Sequence, residues 1–272
     1  MNKSILSIIV SILPIVMPLE GNAAPLYPID LSSWSAHTPD IPNNGSPHGG
    51  WNIELGNARV EQTINGDATF FTNNLDESSY SIDGTLEVTY GNDDDYIGFV
   101  FGYQNSSNFY LFDWKGASES SAGVLAAEGM TVKRFTGTTG DIVADLSPAE
   151  LWENQNDLGD MSIITSNHSD NAGWTSNTLY NFHLEFNLIL GEIAIVVKQG
   201  SAELWAITFN DTTFSHGQFG FYSNSQANTR YASFEQTGNF VPQPVPEPAT
   251  WMFIGMFLFC LALGKHKLMP QA

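Results

Sequence analysis

The chain has 272 residues, with 29 acidic against 9 basic side chains and a formal charge of −20. A field of that sign repels phosphate backbones and excludes nucleic acid as a partner, while it attracts divalent cations or a basic surface and keeps the protein soluble. With the two ends set aside, residues 24–240 suit one sandwich or barrel domain, and this body holds 6 basic and 27 acidic residues, a formal charge near −21.

At the N-terminus Lys3 precedes an apolar run, Ile5 to Leu19, broken by Pro14 and Pro18 and followed by the small-x-small triplet Gly21-Asn22-Ala23. That order predicts a secretory signal peptide over 1–23, cut after Ala23 or Ala24, since the run is short for a membrane span of roughly 20 residues. A lead-in over 24–50 follows. The single cysteine, Cys260, lies near the other end, so an exported body has no disulfide despite an oxidising compartment. Core size or a bound metal must then pin its loops.

Strand signals recur along the body and helix signals are scarce. Arg59 to Ile64 and Thr85 to Tyr90 alternate in strand fashion. Tyr96 to Tyr103 and Asn108 to Trp114 are apolar, aromatic runs joined by the turn Gln104-Asn105-Ser106-Ser107. Ser147-Pro148-Ala149-Glu150-Leu151-Trp152-Glu153 predicts a helical turn or two on a long loop, with Ser147 as N-cap and Pro148 at the first position. Leu184 to Leu190 and Glu192 to Val197 pair around Gly191. Ala202 to Phe209, Gln218 to Tyr222 and Tyr231 to Phe234 complete the set. Many short strands separated by turn residues predict an all-β fold, a sandwich of two antiparallel sheets over 51–240. No helical periodicity separates the strands, which disfavours a parallel α/β fold.

After a Pro-rich linker over 241–248 comes a second apolar run, Ala249 to Leu263, then Lys265-His266-Lys267. About 15 helical residues reach about 22 Å, short of a bilayer core near 30 Å, though thinning and snorkelling lysines allow a span. Cations beyond the run favour leaving that end in the cytoplasm and the body outside. The Pro-Glu-Pro triplet Pro246, Glu247, Pro248, then the apolar stretch, then the basic cluster at 249–272 resemble the PEP-CTERM sorting signal of Gram-negative bacteria that make exopolysaccharide. The resemblance implies an exosortase as processing partner, a transient membrane anchor, and delivery to the cell envelope or extracellular matrix.

The most distinctive run is Asn92-Asp93-Asp94-Asp95-Tyr96-Ile97-Gly98-Phe99-Val100-Phe101-Gly102-Tyr103-Gln104. With Ser106-Ser107-Asn108-Phe109-Tyr110 and Trp114-Lys115 it resembles the C-terminal, lectin-like domain of thrombospondins. Val60 to Asp67 and Asp83-Gly84-Thr85 resemble the preceding strands of that family. Gly173-Trp174 with Tyr180, and Phe219-Gly220-Phe221 with Ser225-Gln226, resemble the following ones, in family order over about residues 51–236. The resemblance implies a concanavalin-like jelly roll that binds Ca²⁺ and takes part in adhesion. The calcium-repeat segment that precedes this domain in thrombospondins is absent here, and Ser223 and its neighbours stand where animal relatives carry cysteines, so integrin or matrix binding does not carry over.

Asn92, Asp93, Asp94 and Asp95 put three carboxylates beside a strand start. Adjacent anions repel unless water or a cation neutralises them. Calcium takes roughly six to eight hard oxygen ligands, which clustered aspartates supply. The spacing is not that of an EF-hand: Gly98 falls at the loop-glycine position, but Ile97 and Gln104 stand where oxygen ligands are needed. The residues alone leave a calcium site and a solvated acidic turn both open. Family position adds Asn65 and Asp67 as ligands from a second loop. Asp113 alternates with Phe109 and Leu111 and stays unassigned. Trp34, Trp51, Trp114, Trp152, Trp174 and Trp205 are core aromatics or sugar-stacking platforms.

No Gly-x-Ser-x-Gly, His-Glu-x-x-His or Glu-x-Asp-x-x-Glu arrangement occurs. His168 near Asp170 lacks an accompanying nucleophile, and His37, His48, His183 and His216 are scattered. The expectation is a non-catalytic, calcium-binding adhesion or matrix protein whose partner is an acidic exopolysaccharide or a surface glycan. A lectin with a defined sugar pocket and a polysaccharide hydrolase are its rivals.

Overall fold

Turn residues cut the apolar runs into short strands. In a computed structural model, which describes residues 26–39, 46–91, 93–187 and 190–236, these are β1 (Leu26–Pro28), β2 (Ser35–His37), β3 (Trp51–Glu54), β4 (Arg59–Gln62), β5 (Thr69–Thr72), β6 (Ser79–Val88), β7 (Tyr96–Asn105), β8 (Asn108–Lys115), β9 (Glu119–Ser121), β10 (Val124–Ala126), β11 (Gly129–Thr136), β12 (Met161–Asn167), β13 (Tyr180–Asn187), β14 (Glu192–Gln199), β15 (Ala202–Asn210), β16 (Gln218–Asn224) and β17 (Thr229–Gln236). Between β11 and β12 lie two short helices, α1 (Ile142–Asp145) and α2 (Pro148–Trp152).

The strands form two antiparallel sheets. One runs β15-β14-β13-β6-β17-β4-β3, with β1 added to β17; the other runs β12-β11-β8-β7-β16-β5-β2. The all-β sandwich expected from the strand signals is therefore the observed fold. The 24–50 lead-in contributes β1 and β2 to the two sheets. The strand expected at Leu184–Leu190 is Tyr180–Asn187, and Thr85–Tyr90 overlaps the end of the longer Ser79–Val88.

Two cores explain two burial patterns. β13 alternates buried with half-exposed positions because only one face meets the opposite sheet. Its Phe182, Leu184 and Phe186 pack with Phe99, Phe101 and Phe112 between the sheets; Phe99 stacks on Phe182 at 4.4 Å and on Phe112 at 4.7 Å. β7 is buried continuously from Tyr96 to Tyr103. Its outer face is covered as well, by Ala126, Ile142, Leu146, Leu151 and Trp152 from the segment between β8 and β12 and by Met161 at the start of β12, which pack on Val100, Phe109, Leu111, Phe135 and Tyr222. A sheet covered on both sides reads as an unbroken apolar run.

The covering segment is held by the helix start anticipated at Ser147. Its hydroxyl accepts from the Glu150 N–H at 3.4 Å, while the Glu150 carboxylate accepts from the Ser147 N–H at 2.7 Å, a reciprocal capping box with Pro148 in the first turn. Among the described residues no helix is long and apolar enough to cross a membrane. The signal-peptide region 1–23 and the Pro246-Glu247-Pro248 tail lie outside the described residues.

Candidate metal centre at the aspartate loop

The loop entering β7 carries the aspartates. Asn92 lies outside the described residues; Asp93 and Asp94 are half-buried and Asp95 is buried. The backbone of Asp94 and Asp95 bonds inward. The Asp95 N–H donates to Gln226 Oε1 at 3.0 Å, and the Asp95 carbonyl accepts from Trp174 Nε1 at 2.9 Å. The Asp94 carbonyl accepts from the Gly116 N–H at 2.8 Å and from Lys115 Nζ at 3.1 Å. Close approach requires glycine at two points: a Cβ on Gly116 would stand 3.0 Å from Asp94 Cβ, and one on Gly173 would stand 1.9 Å from the Gly116 carbonyl oxygen. The Asp94 carbonyl thus has two donors and the Asp95 carbonyl one, so side chains are the main groups left to hold a cation here.

Lys115 partly answers the repulsion among the carboxylates. Its side chain is fully buried at the end of β8, and Nζ lies 3.0 Å from Asp94 Oδ1, 2.7 Å from Asp95 Oδ1 and 3.4 Å from Glu119 Oε2. Burial pulls this ammonium toward neutrality, but its bonds to Asp95 and Asp94 win and hold it above the usual lysine range. Its Nζ also sits 5.2 Å from the centre of the Trp152 ring. The three-carboxylate cluster of Asp94, Asp95 and Glu119 is thus organised around a protein cation.

Asp93 is on the outer side of that arrangement. Its carboxylate accepts from Asn65 Nδ2, and Asn65 Oδ1 accepts from Ser225 Oγ at 3.3 Å. The Ser225 N–H donates to the Gly66 carbonyl at 2.7 Å. Three loops, around residues 65–67, 93–95 and 225–226, therefore meet. Asp93 and Asp95 come within hydrogen-bonding reach of each other; burial pushes both carboxyls up, and the charge of Asp94 adds to it for Asp93. Asp67 lines a cavity of about 160 Å³ beside this junction, together with Ser121, Asn224, Ser225 and Trp152.

The donor set fits a hard cation. Its side-chain groups are carboxylate, hydroxyl and amide oxygens, and exchanging the two ends of the Asn65 amide would add its oxygen on the Asp93 side. Asp93, Asp95, Asn65 and Ser225 would hold the ion, and Asp67 is one residue beyond the near ones. The sequence pointed to Asn92, Asp93, Asp94, Asp95, Asn65 and Asp67 as ligands and gave no role to Lys115, Glu119, Trp174 or Gln226; Asn92 lies outside the described residues, and Asp94 turns to Lys115. Alternation of Asp113 and Lys115 on one strand is the signal that points to buried charge.

That charge continues beneath α2. Asp113 Oδ2 lies 2.6 Å from Lys133 Nζ, both side chains fully buried, and Lys133 Nζ also donates to the Leu151 carbonyl at 3.1 Å. Burial pushes the Asp113 carboxyl up to about 6 and pulls Lys133 down.

The remaining candidates are structural. Trp34, Trp114, Trp152 and Trp174 are buried, and Trp51 and Trp205 pack against the inter-sheet core. His37 meets Thr72 Oγ1 at 3.1 Å and His168 meets Thr131 Oγ1 at 2.9 Å. His183 lies 3.0 Å from Asp83 Oδ1 and 3.3 Å from Glu185 Oε1 on the outer face of the β13 sheet.

The family profile of the thrombospondin C-terminal region matches residues 46–239, which take in β3 to β17 and every loop of the junction. This chain belongs to the thrombospondin C-terminal family. Thrombospondin-2 of Gallus gallus is 31% identical over 182 residues, 65% of this chain and 15% of that protein. Thrombospondin-4 of Mus musculus is 28% identical over 212 residues, 75% of this chain and 22% of that protein. The chain thus spans about a fifth or less of the length of most of these relatives. Among solved structures, the exoplasmic/lumenal domain of VIP36 in a Ca²⁺/Man3GlcNAc-bound form superposes with a TM-score of 0.47 at 10% identity, covering 77% of this chain and 86% of that one. The carbohydrate-binding module CBM66 from Bacillus subtilis gives 0.44 at 15% identity, covering 75% and 92%.

Proposed function

We propose that this domain is a calcium-stabilised, non-catalytic lectin-like module that works outside the cell in adhesion or matrix assembly. The observation that carries the reading is the meeting of three loops at Asp93, where two partly desolvated carboxylates face each other and Lys115 reaches only the inner side. A bound divalent cation would neutralise the surplus and lock the loops together, which suits a body without disulfides. The family relatives are thrombospondins, which is consistent with this reading. The sequence signals for export and for an exosortase-processed tail supply the route to the envelope, and an acidic exopolysaccharide bridged by calcium is the partner class that a body of charge near −21 accommodates.

The test is thermal unfolding after chelation, repeated in a calcium titration. Binding to the native state alone raises Tm with concentration, by about 2.7 kcal/mol of stability at a hundredfold excess over Kd. Asp93→Asn should remove most of that rise. A Tm that ignores millimolar calcium contradicts the reading.

A second reading, a lectin with a defined sugar pocket, is favoured by the polar cavity between Asp67, Asn224 and Trp152. A glycan array with and without calcium separates the two: retention of one sugar class marks the lectin.

A further inference from the structure

The Asp113–Lys133 pair lies outside the loop junction and has no part in the proposed cation site. Asp113 stands opposite Thr131 and Lys133 opposite Leu111 in the β8–β11 ladder, so the two side chains are diagonal neighbours on one face. Both are excluded from solvent, with Lys133 Nζ 2.6 Å from Asp113 Oδ2. Among the described residues no other side chain donates to either Asp113 oxygen. Around them are the Tyr96 ring, 5.0 Å from Lys133 Nζ, and the buried Phe109, Leu111, Phe135 and Tyr222. The carboxylate and the amine are thus held in contact and shut off from solvent, with the Leu151 carbonyl and the Glu153 carboxylate as further polar groups on the Lys133 side.

We propose that Asp113 and Lys133 condense into an intramolecular amide that ties β8 to β11. The free amine of Lys133 adds to Cγ of the protonated Asp113 carboxyl. The new C–N bond forms as a C–O bond breaks, and the hydroxyl departs with one amine proton as water. The reaction is a dehydration and needs no oxidant or co-reactant. Burial supplies the two reactive forms, since it moves the acid and the amine toward neutrality together. Exclusion of water then protects the product. Lys115 provides the internal contrast. Its ammonium is shared by three carboxylates, of which Asp94 and Glu119 have side chains 42% and 52% exposed, so it stays charged and ionic.

The amide would close the chain between residues 113 and 133, which carries the β9–β10 ribbon, and would act as the covalent staple of a body lacking cysteine. The test is tryptic digestion of the denatured full chain followed by mass measurement. Trypsin cuts after Arg59, Lys115 and Arg134, so the expected product is a branched peptide joining residues 60–115 to 116–134. It would be uncut at Lys133 and lighter than its two parts by one water. Asp113→Ala and Lys133→Ala proteins should yield the separate peptides, and because the digest is denatured, folding of the variants does not matter. Wild-type protein that is cleaved after Lys133 and gives both peptides at their unlinked masses has an ionic pair only, and overturns the proposal.

Discussion

Taking away the Asp113 carboxyl strands the Lys133 nitrogen in the outer core with the Leu151 carbonyl as its remaining close acceptor. Breaking one side of such a pair costs about 3–5 kcal/mol, whereas replacing both partners by apolar groups of similar volume is close to neutral. Urea denaturation should therefore find Asp113→Ala strongly destabilised, and Asp113→Leu/Lys133→Met, which loses the cross-link but leaves no buried amine without its partner, less so. His183 makes a second prediction at this scale. Bonds to Asp83 and Glu185 lift its imidazolium to about 9, above an unfolded value of about 6.5. Its contribution to stability is complete below about pH 6.5 and disappears as pH climbs through about 9. The fall in Tm over that window should flatten in His183→Gln. The structure bonds Asn65 to Asp93; the aspartates were legible in the sequence because they cluster, and Asn65 only through family position. Lys115 was not, because one cation after Trp114 says nothing until strand pairing turns it under Trp152 and against Asp95.

At the scale of elements, the capping box at Ser147 does local work with a distant effect. It starts α2, and α2 places Trp152 over Lys115 and the Leu151 carbonyl over Lys133. Ser147→Ala should cost about 1 kcal/mol, measurable as a shift in the denaturation midpoint with an unchanged slope. Cap and helix were readable because their signal is local. The strands of β7 and β8 were readable from their aromatic runs. β11 was not: Gly129–Thr136 places Lys133 and Arg134 together mid-strand, a polarity that hides an element whose Lys133 is buried by pairing with Asp113. Gly98 shows the opposite effect. In sequence it sits where a calcium loop would need a glycine, yet it lies inside β7, where a Cβ would come 2.0 Å from the Phe112 carbonyl oxygen. Strand packing accounts for it.

Over the whole molecule, the seven-stranded sheet is covered on both faces while the outer face of its partner sheet carries charged groups such as His183, Glu185 and Arg230. Alternation in β13 announced the one-sided sheet; the continuous run in β7 announced burial but not what provides it. The second layer comes from the segment between β8 and β12, and its two short helices and ribbon carry too little periodicity to reveal where they dock. The same architecture brings the loops around residues 65, 93 and 225 to one end of the sandwich, and this is where the functional claim rests. An anomalous difference map from crystals grown in abundant Ca²⁺ tests it most directly. The account predicts a peak on the outer side of Asp93, ringed by oxygen atoms of Asp95, Asn65 and Ser225. A water there instead, with Asn65 still donating to Asp93, would contradict it.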